Sequence, residues 1–290
     1  MTVASQAFLI HLKMPLIFVD ALIKTEYNIN DNCQKMEMEA LGMQLSGWRY
    51  EGRKISDLLH EQILAIVEIL NDPLKVGDRN WPQLQSYISC ELGITNGQVR
   101  TIKRMMEELG MVKRGILNAH NIPNAEKIYT DNGQTFVELI AAEKLMRENS
   151  NNDNLETVEE IRKIYRLYYQ KALAAYTYDL DGQILHPLRA TLKAIKKYGY
   201  LDFWEWYLLN TIVQSDNNED EEVELEENIT LYRQGRINFK ETDIKENQLS
   251  HSYVLGNYTY AGLVCVSGKK PDLKITINKD AGEIINVIIA

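Results

Sequence analysis

The chain has 290 residues, 45% of them hydrophobic and 25% charged, with a formal net charge of −9. That length allows two domains with sizeable cores, and no run of about 18 apolar residues is present to cross a membrane as a helix. The charge argues at first against a nucleic-acid partner, and three cysteines without a C-x-x-C pair suggest reduced thiols and a cytoplasmic setting.

Residues 1 to 75 read as an N-terminal helical lead-in. Its most apolar stretch, Ala7 to Ile23, is interrupted by His11, Lys13 and Asp20. It has neither a basic start nor a small-residue cleavage site, so no signal peptide is read. Gly47-Trp48-Arg49-Tyr50-Glu51-Gly52 is an aromatic turn to which the sequence assigns no role. Ile55 to Leu70 is amphipathic, with Leu58, Leu59, Ile63, Ile66, Val67 and Leu70 at helical spacing.

Residues 76 to 149 read as helix, tight turn, helix, β-hairpin and helix, the order of a winged helix-turn-helix. The first helix starts near Trp81 and carries Leu84, Tyr87, Ile88 and Leu92; Cys90 within it is expected as a small buried residue. Gly93-Ile94-Thr95-Asn96-Gly97 forms the turn. In the second helix Val99, Ile102, Met105, Met106 and Leu109 make one buried face. The other face, with Asn96 at its start and then Gln98, Arg100, Thr101, Lys103 and Arg104, has the side chains that reach base edges and phosphates. Gly110 stops the helix. Met111 to Ile116 is predicted as a strand and Lys127-Ile128-Tyr129 as its return strand, around a polar tip from Asn118 to Asn124. Lys113, Arg114 and the tip around His120 and Asn121 suit either a phosphate or minor-groove contact or a plain surface loop. Thr130-Asp131-Asn132-Gly133 then leads to a helix from Gln134.

Asn149 to Asn154 is a polar break, and residues 150 to 180 form a linker region. Its helix, Leu155 to Tyr178, carries Tyr165, Tyr168, Tyr169, Tyr176 and Tyr178, read as packing residues rather than base-stacking ones. A second module is placed at 181 to 290, from Asp181-Gly182. It has a helix from Pro187 to Lys197 ended by Gly199, a second from Phe203 to Val213 capped by Asp202, and a third over Leu249 to Tyr258. A hairpin of Leu263 to Val266 and Leu273 to Ile277 precedes the apolar segment Glu283 to Ala290. Arg189, Lys193, Lys196 and Lys197 suit backbone phosphates or a solubilising face equally. The acidic stretch 215 to 228 reads as a solvated insertion. Its eight carboxylates, from Asp216 to Glu227, account for all but one of the net negative charges, whereas Gly97 to Lys127 holds six basic residues against three acidic ones. Phosphate affinity follows local charge, because counterions are released at the contact surface; the overall charge therefore does not exclude DNA.

His186 to Asp202, followed by Tyr260-Ala261-Gly262-Leu263-Val264, resembles the recognition half of Type IIS restriction and strand-nicking endonucleases, over roughly residues 45 to 290 in element order. The resemblance implies two winged-helix modules reading a short asymmetric site, joined by a linker to a metal-dependent PD-(D/E)xK cleavage domain. Such a domain needs E-x-K on a strand beside its first acid. Pro271-Asp272 offers the start, yet Gly282 to Ala290 has no E-x-K and no lysine, and Asp272 falls where the hairpin needs a strand residue. The resemblance thus implies a recognition fragment or specificity subunit. Cutting residues would lie beyond Ala290 or on a separate catalytic subunit, with Mg2+ expected only there and no cofactor in this chain.

No nucleophile elbow, P-loop, dinucleotide fingerprint or metal-spaced His/Cys set appears. The five histidines, His11, His60, His120, His186 and His251, are each read as surface or capping residues. The expectation is therefore a mainly α protein with small β-hairpin wings (α+β), organised as tandem winged helix-turn-helix modules that bind double-stranded DNA. A tandem winged-helix transcriptional or plasmid-replication regulator is the first alternative. A winged-helix scaffold for protein contacts is the second.

Overall fold

A computed structural model describes residues 42–50, 52–148, 154–180, 182–246, 248–270 and 272–290. The chain divides into two compact units, the larger being Leu45–Leu225 with Ile244–Ala290 and the smaller Met1–Gln44 with Glu226–Asp243. The apolar stretch Ala7 to Ile23, His11, Cys33 and most of the expected polar break at Asn149 to Asn154 lie outside the described residues. Within the described part of the smaller unit, Leu231 and Ile237 are buried and pack with Tyr232 and Phe239. Among the described residues no helix is long and apolar enough to cross a membrane.

The larger unit is mainly helical with small sheets, an α+β architecture. Strand β1 (Leu45–Ser46) opens it, followed by helix α1 (Asp57–Asn71) and the short α2 (Pro73–Val76). Ser56 starts α1 by accepting the Leu59 amide at 3.3 Å, which satisfies one of the orphan donors of the first turn. Its buried face, with Leu59, Ile63, Ile66 and Leu70, is the one expected from spacing; Leu58 stays exposed. Helices α3 (Trp81–Leu92) and α4 (Asn96–Glu108) follow, each begun by a capping box, Asn80 with Gln83 and Thr95 with Gln98. Gly93 ends α3 at φ 61°, a left-handed conformation open to glycine.

The strands expected at Met111 to Ile116 and at Lys127 to Tyr129 do not form. Pairing there is one antiparallel bridge, Val112 to Tyr129, flanked by two amide–carbonyl bonds, Lys113 to Ile128 and Thr130 to Met111. Local polar contacts take the remaining backbone. Asn118 binds the Gly115 carbonyl and the amides of His120 and Asn121, while Asn124 caps α5 (Ala125–Ile128), which puts Lys127 and Ile128 in a helical turn. Helix α6 (Asp131–Glu148) starts three residues earlier than expected. Gly133 is built into its first turn because a Cβ there would stand 1.8 Å from the Met111 carbonyl oxygen.

Helix α7 (Asn154–Ala175) packs along α6 and ends before Tyr178, at the far end of the expected helix. Tyr165 and Tyr169 are buried with Phe136 and His60, and with the half-buried Tyr260 they form an edge-to-face and stacked aromatic cluster. At the rim of this cluster the buried Glu143 carboxylate accepts from Arg147 and, at 2.9 Å, from Arg162, so α6 and α7 are cross-tied by charge-assisted bonds.

Strands β2 (Tyr178–Leu180) and β3 (Gln183–Leu185) form a two-stranded antiparallel hairpin around Gly182, where the sequence suggested a module boundary. Helix α8 (Pro187–Tyr198), strand β4 (Leu201–Asp202) and helix α9 (Phe203–Ile212) come next, with Asp202 and Glu205 completing a capping box. The acidic stretch is helical rather than a loop: α10 covers Glu219–Arg233. Asn218 accepts the Asp220 amide, and Glu219 to Glu222 fill the first turn, where the helix dipole favours negative charge. Strand β5 (Ile244–Glu246) pairs parallel with β1. Helix α11 (Gln248–Tyr260), strands β6 (Val264–Ser267) and β7 (Lys274–Ile277) and helix α12 (Gly282–Ile289) complete the chain. The sheet order is β4-β7-β6, all antiparallel, with Val264 opposite Ile277 and Leu201 opposite Ile275. Asp272 lies in the β6–β7 connection, not in a strand, and Pro271 is outside the described residues.

Three expected environments change. Cys90 is exposed, because it lies about 200° around α3 from the buried Ile88. His60 and His251 are buried rather than superficial. The turn at Gly47 to Gly52 gains a structural role: the Trp48 indole N–H donates to the Val213 carbonyl at 2.9 Å, and the Trp48 amide donates to Asn210 Oδ1 at 3.1 Å.

Candidate nucleic-acid interface

Helix α4 buries Val99, Ile102, Met105 and Met106, which hold it against the rest of the larger unit. Its opposite face carries the side chains singled out by the sequence. Asn96 is exposed at the first turn, and its carbonyl accepts from Gln85 Nε2 at 3.0 Å. Gln98 is partly committed to the cap, since its Oε1 accepts the Thr95 amide at 2.9 Å; this leaves its Nε2 as the group available to a ligand. The Thr101 hydroxyl donates back to the Gln98 carbonyl at 2.9 Å.

The cations of α4 differ in how they are held. Lys103 pairs with Glu107 at 3.0 Å and Arg104 with Glu108 at 2.8 Å, each one helical turn on. Arg114 reaches the other oxygen of Glu108. Arg100 is exposed and has no ion-pair partner among the described residues, and Lys113 is exposed as well. Glu107 is buried and also accepts the Gly115 amide at 3.0 Å, so it anchors the segment after α4 as well as Lys103.

Arg100, Lys103 and Arg104 line one cleft of about 580 Å³ together with Arg49 and Thr101. Four cations thus converge on a space in which Glu107 is the carboxylate of the lining. Arg49 was not among the residues expected here. Trp48 and Tyr50 on either side of it are buried while Arg49 is exposed, and that alternation was the available signal. The Tyr50 hydroxyl and the Asn257 amide hold this turn in place.

The second set of cations does not act as one group. Arg189, Lys193 and Lys197 share one side of α8 and line a separate cavity. Lys196 faces elsewhere and donates to Asn286 Oδ1 on α12 at 3.2 Å.

His60 and His251 are packed in the protein interior, and His186 is half-buried. His60 Nε2 is 2.8 Å from the Tyr169 hydroxyl, and burial lowers its pKa to about 4, against an opposing pull from Glu143. His251 stacks on Tyr207, and burial holds it well below the ordinary histidine range. His186 Nδ1 lies 2.5 Å from Asp216. Among the described residues no group of three His, Cys, Asp or Glu side chains is arranged to hold a metal ion. No protein-family model matches this sequence, and no curated protein matches it.

Proposed function

We propose that the chain recognises a short site in double-stranded DNA through tandem winged helix-turn-helix modules, the wing of the first reduced to the Val112–Tyr129 bridge, as the recognition region or specificity subunit of a Type IIS restriction or strand-nicking endonuclease. Helix α4 would be the base-reading helix of the first module. The observation that carries the reading is the cleft beside it: Arg49, Arg100, Lys103 and Arg104 converge there, and Arg100 is exposed without an ion-pair partner among the described residues. Phosphate contacts supply affinity and register, whereas a side chain that reaches a base edge supplies discrimination of about 1–3 kcal/mol per good contact. Lys103 and Arg104, braced by Glu107 and Glu108, suit the first task, and Arg100 suits the second. For the second module, support comes from the order α8, α9, α11, the β6–β7 hairpin and α12. Mg2+ and the cutting groups belong, in this reading, to a separate cleavage domain or subunit.

The test is selection from a randomised duplex library, followed by fluorescence anisotropy on the selected site and on random duplex. Arg100→Ala is expected to weaken the selected site by fivefold or more, following from about 1–3 kcal/mol, and random duplex by much less. Equal losses on both, or no enrichment, would reject the reading. An asymmetric selected site bound by one chain supports endonuclease recognition; a palindrome bound by two supports a regulator instead.

A further inference from the structure

The α8 cations surround a cavity. Arg189, Lys193 and Lys197 recur every fourth residue, so they stand above one another on one side of the helix. All three line a space of about 280 Å³. Between them Ala190 and Ala194 have little side chain to fill it, and the opposite wall is aliphatic, from Leu209, Val213 and Leu225. Two carboxylates also line it, but Asp216 is engaged by His186 through both the ring Nδ1 and the backbone amide, at 2.5 and 2.7 Å. Glu222 is an exposed side chain at the edge. Lys193 and Arg189 have no ion pair among the described residues, and Arg189 Nε, closed off from solvent, has no hydrogen-bond partner.

This arrangement is a poor match for a DNA backbone and a good match for a small molecule. Phosphates of a duplex sit on a broad convex surface and gain nothing from a recessed aliphatic wall. Small-molecule sites, in contrast, are concave and largely apolar, with a few converging polar groups that orient the ligand. A cavity of roughly 150 Å³ accepts benzene, so this one has room for a two-ring body. Arg189 and Lys193, both lining the cavity without an ion pair among the described residues, call for an anion, and the planar guanidinium matches a carboxylate.

We propose that this cavity binds a small planar aromatic carboxylate, with its rings against Leu209, Val213 and Leu225 and its carboxylate between Arg189 and Lys193. None of these residues belongs to α4 or its cleft, so the inference stands apart from the DNA-recognition reading.

The probe is 1-naphthoate titrated into the full chain by calorimetry, with 1-naphthalenemethanol as the neutral match. Saturable one-to-one binding of the acid is expected, with the alcohol at least tenfold weaker. Lys193→Gln should weaken the acid by about tenfold, as loss of one charge-assisted contact implies, and leave the alcohol unchanged. Ala194→Leu should abolish both by filling the cavity, with circular dichroism checking that the fold persists. If that variant fails to fold, Lys193→Gln, on a partly exposed residue, decides alone. Absence of saturable binding, equal affinity for acid and alcohol, or indifference of the acid to Lys193→Gln would overturn the proposal. So would a Lys193→Gln variant that loses duplex affinity while naphthoate affinity is unchanged, since the stripe would then serve DNA.

Discussion

Asn257 helps to hold the turn that carries Arg49, and its removal has a calculable cost. It is fully buried on α11. Its Oδ1 accepts the Ile55 amide at 2.7 Å, and its Nδ2 donates to the Tyr50 hydroxyl at 3.0 Å and the Arg53 carbonyl at 3.2 Å. Tyr50 and Arg53 still share a bond without it, at 3.3 Å. Asn257→Ala therefore orphans one buried amide, at about 1–3 kcal/mol, and removes two further bonds worth about 1 kcal/mol each, a total near 3–5 kcal/mol. Asn257→Asp separates hydrogen bonding from packing. A protonated aspartic acid can both accept from Ile55 and donate to Tyr50 or Arg53, whereas the carboxylate cannot donate. Burial raises the aspartate pKa in the folded chain above its unfolded value of about 3.9. Folding then favours the protonated form, so the variant is closest to the parent below that value and loses stability as pH rises through the folded pKa. Urea unfolding followed by tryptophan fluorescence measures this directly, because Trp48, Trp81, Trp204 and Trp206 all lie in the larger unit. The deficit of Asn257→Asp relative to the parent should be smaller at pH 4 than at pH 7.5. A deficit independent of pH, or an Asn257→Ala cost below about 1 kcal/mol, would refute the argument.

Two further outcomes follow from the same contacts. If the α4 cleft receives a DNA phosphate, Arg49→Ala should weaken binding similarly on all sequences and reduce the slope of log affinity against log salt by about one; an unchanged slope would place Arg49 outside the contact. His60 has a folded pKa near 4 against an ordinary 6.5, so its contribution is fully present above pH 6.5 and is lost as pH falls from 6.5 towards 4. The gap between these two values corresponds to about 3 kcal/mol, and in His60→Phe the stability lost between pH 6.5 and pH 4 should shrink by roughly that much. A decline as steep as the parent's would mean that other groups carry it.

Most of the helices were legible because their signals are local. Ser56, Asn80, Thr95 and Asp202 each stand one residue before an apolar repeat, and each accepts an amide in the first turn of its helix. What failed was the competition between alternatives of similar local quality. Asp181-Gly182 between Leu180 and Gln183 is a hairpin signal, yet it reads equally as a break between modules. Asn118 and Asn124 sit where a wing tip would, but their side chains close turns that leave the flanking strands one bridge long. The acidic stretch has the composition of a loop, but four of its eight carboxylates fall in a first turn, where charge stabilises a helix instead of preventing one.

The candidate site shows a different limit, because its charge balance is a property of distance in space. A net charge of −9 is an average over the sequence, and neither sign is spread evenly. Along the chain, Gly97 to Lys127 suggested a modest basic surplus. In the structure two of those cations, Arg104 and Arg114, share Glu108, while Lys103 is held by Glu107. Counting residues along α4 therefore overstates the charge available to a ligand. Arg49, about fifty residues earlier, lines the same cleft, and no periodicity in α4 could have announced that. The same reasoning separates Lys196 from Arg189, Lys193 and Lys197: adjacent in sequence, it is turned by the helical repeat towards Asn286 on α12, while the others face the cavity. Residue type at helical spacing identifies which side chains share a face. Which of them remain available to an anion is decided by the carboxylates and carbonyls that the fold brings alongside, and for α4 that leaves Arg100 as the residue whose substitution is most informative.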